Sequence, residues 1–222
     1  MPYSVVKAMA YPIGRMIVPA IYRPWIRKVE GLENIPGDMP FIIAANHSSY
    51  FDAFLLPTII VQKIDRRMHA WINAYYWKNP ITKFFLDLWG GIPMHVAKEE
   101  NAKEKNKASF KLTINYLKNN EPVMIFPEGT RNNGKLKKAY NGIARLALAA
   151  KVPVLPCGII GANKVLPKGK MLPRFARCEV KIGKPIYFKK YYNKKINNKA
   201  LESTTREIME QIGKLIGQKY NY

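Results

Sequence analysis

Short apolar runs alternate with longer segments of helical periodicity along most of this chain. The apolar runs are bounded by Gly, Pro and Asn, which is typical of β-strands. Strands are predicted at residues 41–45, 92–94, 123–126, 154–160 and 178–182. Helices are predicted at residues 51–61, 80–89, 101–118, 141–151 and 197–220. This alternation predicts an α/β fold in which helices flank a parallel or mixed sheet.

The first 28 residues follow a different pattern, apolar and aromatic but interrupted by Lys7, Arg15 and Arg23 and by the prolines Pro12, Pro19 and Pro24. A helix that spans a bilayer needs about 20 mainly apolar residues, and these interruptions come too often for one. The segment also lacks the small-residue cleavage site of a signal peptide. We predict an arm of two short, basic, amphipathic helices over residues 1–28, followed by one domain over residues 29–222. Such an arm either lies in a membrane interface or packs on the domain.

The composition indicates the charge of a binding partner. The chain has 222 residues with 48% hydrophobic content, enough to fill the core of one domain. Its 37 Lys and Arg outnumber 15 Asp and Glu, which gives a formal net charge of +22. An anionic partner follows: a membrane surface, a nucleic acid, an acidic protein or a phosphorylated substrate. Cys157 and Cys178 form no CxxC pair, so we expect reduced, buried thiols, a cytosolic setting and no metal site.

Polar residues follow two of the predicted strands where catalytic groups collect in open α/β sheets. The first set is His47 and Asp52, directly after the strand 41–45. Imidazole can take a proton from a hydroxyl near neutral pH, and a carboxylate on its other nitrogen fixes the tautomer. An Asp near the start of a helix is, however, more often an N-cap than a catalytic partner. Ser48 and Ser49 do not stand in a G-x-S-x-G motif, so we predict turn or capping roles for them.

The second set is "FPEGTR" at residues 126–131. Gly129 allows the backbone to pass close to a ligand, Thr130 offers a hydroxyl, and Arg131 presents a planar fork for phosphate or carboxylate. Glu128 could hold that guanidinium in one orientation. A turn with a surface ion pair would use the same residue types. That alternative does not explain why the motif occurs together with His47 and Asp52 at the end of another strand.

Together these segments resemble the glycerolipid acyltransferase family, in particular the bacterial 1-acyl-glycerol-3-phosphate acyltransferases. The resemblance covers nearly the whole chain, in family order: "VEGLENIP" at 29–36, "NHSSYFD" at 46–52, "GGIP" at 90–93, "FPEGTR" at 126–131, "VPVLP" at 152–156 and "IGKPIYF" at 182–188. It implies an αβ-sandwich with a mixed central sheet and an amino-terminal two-helix membrane anchor, which favours the membrane for the arm.

The resemblance also implies the reaction. His47 would be the general base, Asp52 would orient it, and Glu128, Gly129, Thr130 and Arg131 would bind the acceptor phosphate. The acyl donor would be a thioester of acyl-carrier protein or coenzyme A, with no metal or redox cofactor. The acceptor would be a lysophospholipid, foremost 1-acyl-sn-glycerol-3-phosphate. The enzyme would lie on an anionic membrane surface at the cytoplasmic side of the cell membrane, and no nucleic acid is expected.

Two positions depart from the family pattern. Many relatives carry an arginine after "GGIP", where this chain has Met94, His95 and Val96, and Asn73 stands where relatives often have lysine. Arg131, with Lys78 or His95, would then carry more of the phosphate charge. Three alternatives stay open at this point: an acyltransferase for another lysolipid or a glycolipid, a lipid hydrolase in which His47 activates water, and a basic nucleic-acid-binding protein.

Overall fold

The computed structural model describes residues 3–222, and side chains from residue 11 onward. Within this range one seven-stranded sheet runs through the molecule in the order β1-β7-β6-β2-β5-β3-β4. Its strands are β1 (Ile26–Glu30), β2 (Ile42–Ala45), β3 (His69–Asn73), β4 (Gly91–Met94), β5 (Val123–Ile125), β6 (Val154–Ile160) and β7 (Cys178–Ile182). The pair β6–β7 is antiparallel and the other neighbouring pairs are parallel, so the predicted mixed sheet is confirmed.

Helices cover both faces of the sheet. They are α1 (Tyr3–Tyr22), α2 (Asp52–Ile64), α3 (Pro80–Leu88), α4 (Ala102–Lys118), α5 (Gly142–Ala150), α6 (Ala162–Val165) and α7 (Asn198–Ile216). Successive residues of β2 serve opposite cores. Ile42 and Ala44 pack in the core that α4, α5 and α7 share, whereas Ile43 and Ala45 pack in the core that includes α2 and α6. Every β2 side chain is buried, which explains its unbroken apolar run.

The predicted elements are present with small shifts at their ends, and the bounds of β6 and β7 match the prediction. Two strands were missed. β1 has the sequence IRKVE and lies at the edge of the sheet, paired only with β7, where charged residues remain in water. β3 has the sequence HAWIN and is half-buried along most of its length, so it lacks the apolar run that identified the other strands.

The arm differs from the predicted pair of short helices, because α1 is one helix of 20 residues with Pro12 and Pro19 inside it. A proline removes one backbone hydrogen bond and bends a helix, but the turns around it can continue. α1 lies against α2 and is tied to it by an ion pair between Arg15 and Asp65. β1 begins at Ile26, so the boundary predicted at residue 28 falls inside a strand. Between residues 3 and 222, none of the helices combines the length and apolar character needed to cross a membrane.

Candidate active site

Parallel pairing of β2 with β5 places the ends of both strands at the same edge of the sheet. The loop after each strand carries one half of the predicted site. The N–H of His47 donates to Glu128 Oε1 at 3.0 Å, and the N–H of Asn132 donates to the carbonyl oxygen of His47 at 2.7 Å. Both main-chain groups of His47 are therefore fixed by the "FPEGTR" loop.

The His47 side chain contacts Asp52, as the sequence predicts. Its Nδ1 lies 3.0 Å from Asp52 Oδ2, and its ring stacks on Phe126 with centroids 4.0 Å apart and planes 12° from parallel. The side chain is 15% exposed. With Nδ1 directed at a carboxylate, the proton belongs on Nδ1, so Nε2 is the nitrogen that can accept a proton from a substrate.

Asp52 occupies the first turn of α2 and is fully buried. Besides the imidazole, its Oδ2 accepts the main-chain N–H groups of Ser48 at 2.6 Å and Ser49 at 2.7 Å. These two bonds and the helix N-terminus stabilise a buried negative charge. Asp52 thus fixes the loop that precedes α2 and holds the imidazole at the same time.

Residues 3–222 contain no group of three or more His, Cys, Asp or Glu that could hold a metal ion.

Glu128 is 1% exposed and directs its carboxylate inward. Its Oε1 accepts from His47 N, its Oε2 accepts from Lys137 N at 2.8 Å, and Asn132 Nδ2 reaches both oxygens at 2.8 and 2.7 Å. Its described hydrogen bonds therefore run to the main-chain N–H groups of His47 and Lys137 and to the Asn132 side chain. The guanidinium of Arg131 lies elsewhere, over the ring of Tyr50.

Arg131 stacks on an aromatic pair. Its Cζ is 3.5 Å from the centroid of the Tyr50 ring, a cation–π contact. The Tyr50 hydroxyl lies 2.7 Å from that of Tyr76, so one of the two donates to the other. Burial and this hydrogen bond raise the pKa of Tyr76 to about 12. The Tyr76 hydroxyl is therefore neutral near pH 7.

Gly129 and Thr130 lie in the exposed part of the same loop. Gly129 has φ +64°, and a Cβ there would come within 2.9 Å of the Tyr140 ring, so both the turn and the packing require glycine. The Thr130 side chain is exposed, with its hydroxyl available to a ligand. These positions form the open rim of the site, beside its buried His47 end.

Asn46 and Asn132 are site residues that sequence reasoning missed. Asn46 extends β2 through its side chain, which donates to the Ile159 carbonyl at 2.9 Å and accepts from the Ile159 N–H at 2.7 Å. Asn132 links Glu128 to His47. Each stands directly beside a motif, but only burial separates such an asparagine from one in an ordinary loop, and burial is not visible in a single sequence.

The two departures from the family pattern lie at the same edge of the sheet, since Asn73 ends β3 opposite Met94 of β4. The Asn73 side chain accepts the N–H of Tyr75 and caps the following turn. His95 Nδ1 bonds Glu99 at 2.7 Å, and Val96 is half-exposed. Lys78 Nζ lies 5.4 Å from the Tyr75 ring centroid. For Asn73, Lys78, His95 and Val96, no described hydrogen bond places a second cation beside Arg131.

A comparison with known protein families identifies the family of this chain. Residues 26–160, more than half of the chain, match the family model described as Acyltransferase. The chain belongs to the Acyltransferase family. This acyltransferase is 29% identical over 162 residues to the 1-acyl-sn-glycerol-3-phosphate acyltransferase of Bacillus subtilis, covering 72% of this chain and 73% of that relative. It is 27% identical over 172 residues to a chloroplast 1-acyl-sn-glycerol-3-phosphate acyltransferase of Brassica napus, covering 76% of this chain.

The acyltransferase spans about half the length of the chloroplast relatives from Brassica napus and Arabidopsis thaliana, 47% and 46%. Among solved structures it resembles the 1-acyl-sn-glycerophosphate acyltransferase PlsC of Thermotoga maritima, with a TM-score of 0.66 at 23% identity. That match covers 99% of this chain and 81% of PlsC. At this identity the likeness concerns the fold, and it agrees with the α/β architecture and mixed sheet described above.

Proposed function

We propose that this acyltransferase moves a fatty acyl chain from an acyl thioester to the free hydroxyl of a lysophospholipid, with His47 as general base. The observation that carries the proposal is the His47 Nδ1–Asp52 Oδ2 contact at the end of β2, held against the "FPEGTR" loop. The family and the printed names of the relatives supply the reaction class. The geometry supports this role, because His47 Nδ1 faces the buried Asp52 and leaves Nε2 for the substrate.

In the proposed mechanism, His47 Nε2 removes the proton of the acceptor hydroxyl as the oxygen attacks the thioester carbonyl. The new C–O bond forms, the C–S bond breaks, and the departing thiolate takes the proton from the imidazolium. Asp52 stabilises the imidazolium between these steps without being protonated itself. No covalent enzyme intermediate is required, since both substrates react directly with each other.

The acceptor is proposed to be 1-acyl-sn-glycerol-3-phosphate, giving phosphatidic acid. Arg131, in cation–π contact with Tyr50, would bind the phosphate with Thr130 and the Gly129 backbone at the open rim. A second acceptor class, with an already esterified phosphate, is favoured by one observation. Asn73 and Val96 stand where many relatives place cations, and a phosphomonoester of nearly two negative charges needs several converging donors.

The enzyme is further proposed to lie on an anionic membrane surface at the cytoplasmic side and to take its donor from acyl-carrier protein or coenzyme A. Large apolar side chains of α1 face water, namely Ile13, Met16, Ile17 and Ile21. Together with the net charge of +22, this face suits a leaflet of anionic lipids. A nucleic-acid partner would leave both the exposed apolar face and the His47 site without a role.

The test supplies a mixed pool of lysophospholipids with acyl-coenzyme A or acyl-carrier protein and identifies the products by mass spectrometry. We expect phosphatidic acid as the main product with wild type, and at least about 100-fold less with His47→Ala, whose folding is checked by circular dichroism. Free fatty acid as the main product would establish a hydrolase instead. A dominant diacylated phosphodiester would keep the transfer reaction but replace the acceptor.

A further inference from the structure

The loop over residues 167–177, between α6 and β7, carries the most exposed apolar side chains outside α1. Met171 is 94% exposed, Leu172 is 80% exposed, and Phe175 is fully exposed. Single apolar residues on a surface are common, but three large ones within five residues leave a cluster in water without internal packing. A soluble loop gains nothing from this cluster, so an external apolar phase is the environment that fits it.

The same loop is strongly basic. Lys168, Lys170, Arg174 and Arg177 are all exposed, and the sequence from 167 to 177 contains no acidic residue. Cations therefore flank each apolar side chain along the loop. At a membrane interface such cations lie at the level of the anionic headgroups while the apolar side chains reach the acyl chains.

Two hydrogen bonds tie the loop to the arm and to the candidate active site. The Trp25 Nε1–H donates to the carbonyl oxygen of Arg174 at 3.0 Å, which joins the loop to the end of the arm. The Ser49 hydroxyl donates to the carbonyl oxygen of Leu166 at 2.7 Å, which joins it to the segment between His47 and Asp52. The loop thus stands beside both the end of the arm and the candidate active site.

We propose that the 167–177 loop is a second membrane-binding element, which inserts Met171, Leu172 and Phe175 into a leaflet of anionic lipids. The inference rests on the proposed association with a membrane and extends it to a segment outside the arm. An acidic carrier protein would account for the four cations alone. A lipid surface accounts for the cations and for the apolar cluster. It also accounts for the position of the loop, next to the arm and to the site that a lysolipid must enter from the membrane.

The first experiment measures flotation of the full chain with vesicles of phosphatidylglycerol and phosphatidylethanolamine at physiological salt. One variant replaces the cluster (Met171→Ser, Leu172→Ser, Phe175→Ser), and its control replaces an exposed apolar residue of α4 (Leu112→Ser). A second variant removes three charges (Lys168→Gln, Lys170→Gln, Arg174→Gln), and its control removes three exposed charges of α4 (Lys103→Gln, Lys107→Gln, Lys111→Gln). We expect each loop variant to partition at least about tenfold more weakly than its control.

The second experiment places a fluorophore on the loop through Leu172→Cys. Burial raises the pKa of both native thiols, that of Cys178 to about 12, so an exposed cysteine is labelled selectively at pH 7.5. We expect a blue shift of an attached nitrobenzoxadiazole dye on addition of the anionic vesicles, and quenching by brominated lipid. The same dye at Leu112→Cys should keep the emission that it shows in water.

Equal flotation of loop variants and controls, or an unshifted dye at residue 172, would overturn the inference while wild-type flotation preserves the proposed membrane association. If the loop variants float normally but lose activity only with acyl-carrier protein and not with acyl-coenzyme A, the loop is a carrier-protein site instead. Activity on a short-chain, water-soluble acceptor separates these outcomes from failure of the active site, and it should be unchanged in every loop variant.

Discussion

Asp52 holds its two carboxylate oxygens in different environments. Oδ2 accepts from His47 and from two main-chain N–H groups, whereas Oδ1 is buried without a hydrogen-bond partner in the described structure. A buried oxygen without a hydrogen-bond partner lowers the free energy of unfolding by about 1–3 kcal/mol. That cost is tolerated here because the charge opposite the imidazole is useful for the proposed reaction, an arrangement typical of functional sites.

This asymmetry makes Asp52→Asn informative. An asparagine can keep its oxygen at the Oδ2 position, so the loop and the His47 tautomer survive while the negative charge is lost. We expect kcat to fall by between about 100- and 10,000-fold, because the imidazolium is no longer stabilised, with little change in the melting temperature. Steady-state kinetics and thermal unfolding measure the two effects. Retention of a tenth or more of wild-type kcat would show that the Asp52 charge is dispensable.

Asn132 gives a second residue to test, since its side chain bonds both carboxylate oxygens of Glu128, which in turn accepts the N–H of His47. Asn132→Ala should lower kcat while leaving KM for both substrates near wild type, because it loosens the position of the base and not the substrate contacts. The neighbouring exposed Asn133→Ala is the matched control. A rise in KM for the acceptor at unchanged kcat would place Asn132 in the phosphate site and contradict the positioning role.

Sequence alone was sufficient where one residue type leaves few alternatives. A histidine and an aspartate after an apolar strand, and a glycine between Glu128 and Thr130, are visible because few other residue types suit that chemistry or that backbone. Asn46, Asn132 and the Tyr50–Tyr76 pair were not predicted. Their importance depends on which loop lies opposite, and that is settled by the pairing of β2 with β5 and β6, which no local pattern encodes.

Among the elements, α1 shows how tertiary packing changes a local prediction. Its prolines predicted a break, but Gly14 lets the helix pass so close to Trp89 that a Cβ at residue 14 would overlap the indole ring. At the other end Tyr22 and Trp25 pack against Phe51, with ring centroids at 5.1 and 6.0 Å. These contacts hold one continuous helix against α2 and leave its apolar outer face in water.

The outer face of α1 can be tested without removing the contacts with Phe51. Replacing Met16, Ile17 and Ile21 by serine should weaken flotation with anionic vesicles by about tenfold or more, because each side chain loses the free energy of burial in the interface. Circular dichroism checks that the helix persists. Flotation as strong as that of wild type would assign α1 to packing on the domain, the alternative left open by the sequence.

Charge acts at the level of the complete protein, since the net charge of +22 is spread along the chain. Binding to anionic vesicles should therefore weaken as NaCl rises from 50 to 500 mM, about 14 to 4 Å in screening length, but the apolar contacts should keep part of it. Oligonucleotides, which lack an apolar phase, should be released completely over the same range. Saturable oligonucleotide binding that survives the highest salt would revive the nucleic-acid alternative.

Buried acids of high pKa give the molecule a defined response to alkali. Burial raises the pKa of Cys178 from 9.0 to about 12, and that of Cys157 further. Below pH 9 both thiols are neutral in the folded and unfolded states, whereas above it only the unfolded chain ionises, so the free energy of unfolding should fall as pH rises from about 9 to 12. Urea titrations across this range measure the slope, and Cys178→Ala should make it shallower. An unchanged slope in that variant would exclude Cys178 as a contributor.

The route of the chain between the two halves of the site has a consequence for refolding. His47 and Glu128 bond across 81 positions, and the chain forms β3, β4 and three helices before it returns to β5 beside β2. Such long-range parallel pairing closes large loops and is slow compared with helix formation. After dilution from denaturant, the helical circular dichroism signal should recover before enzyme activity does. The rate at which activity returns therefore measures how fast β5 pairs with β2 at the centre of the sheet.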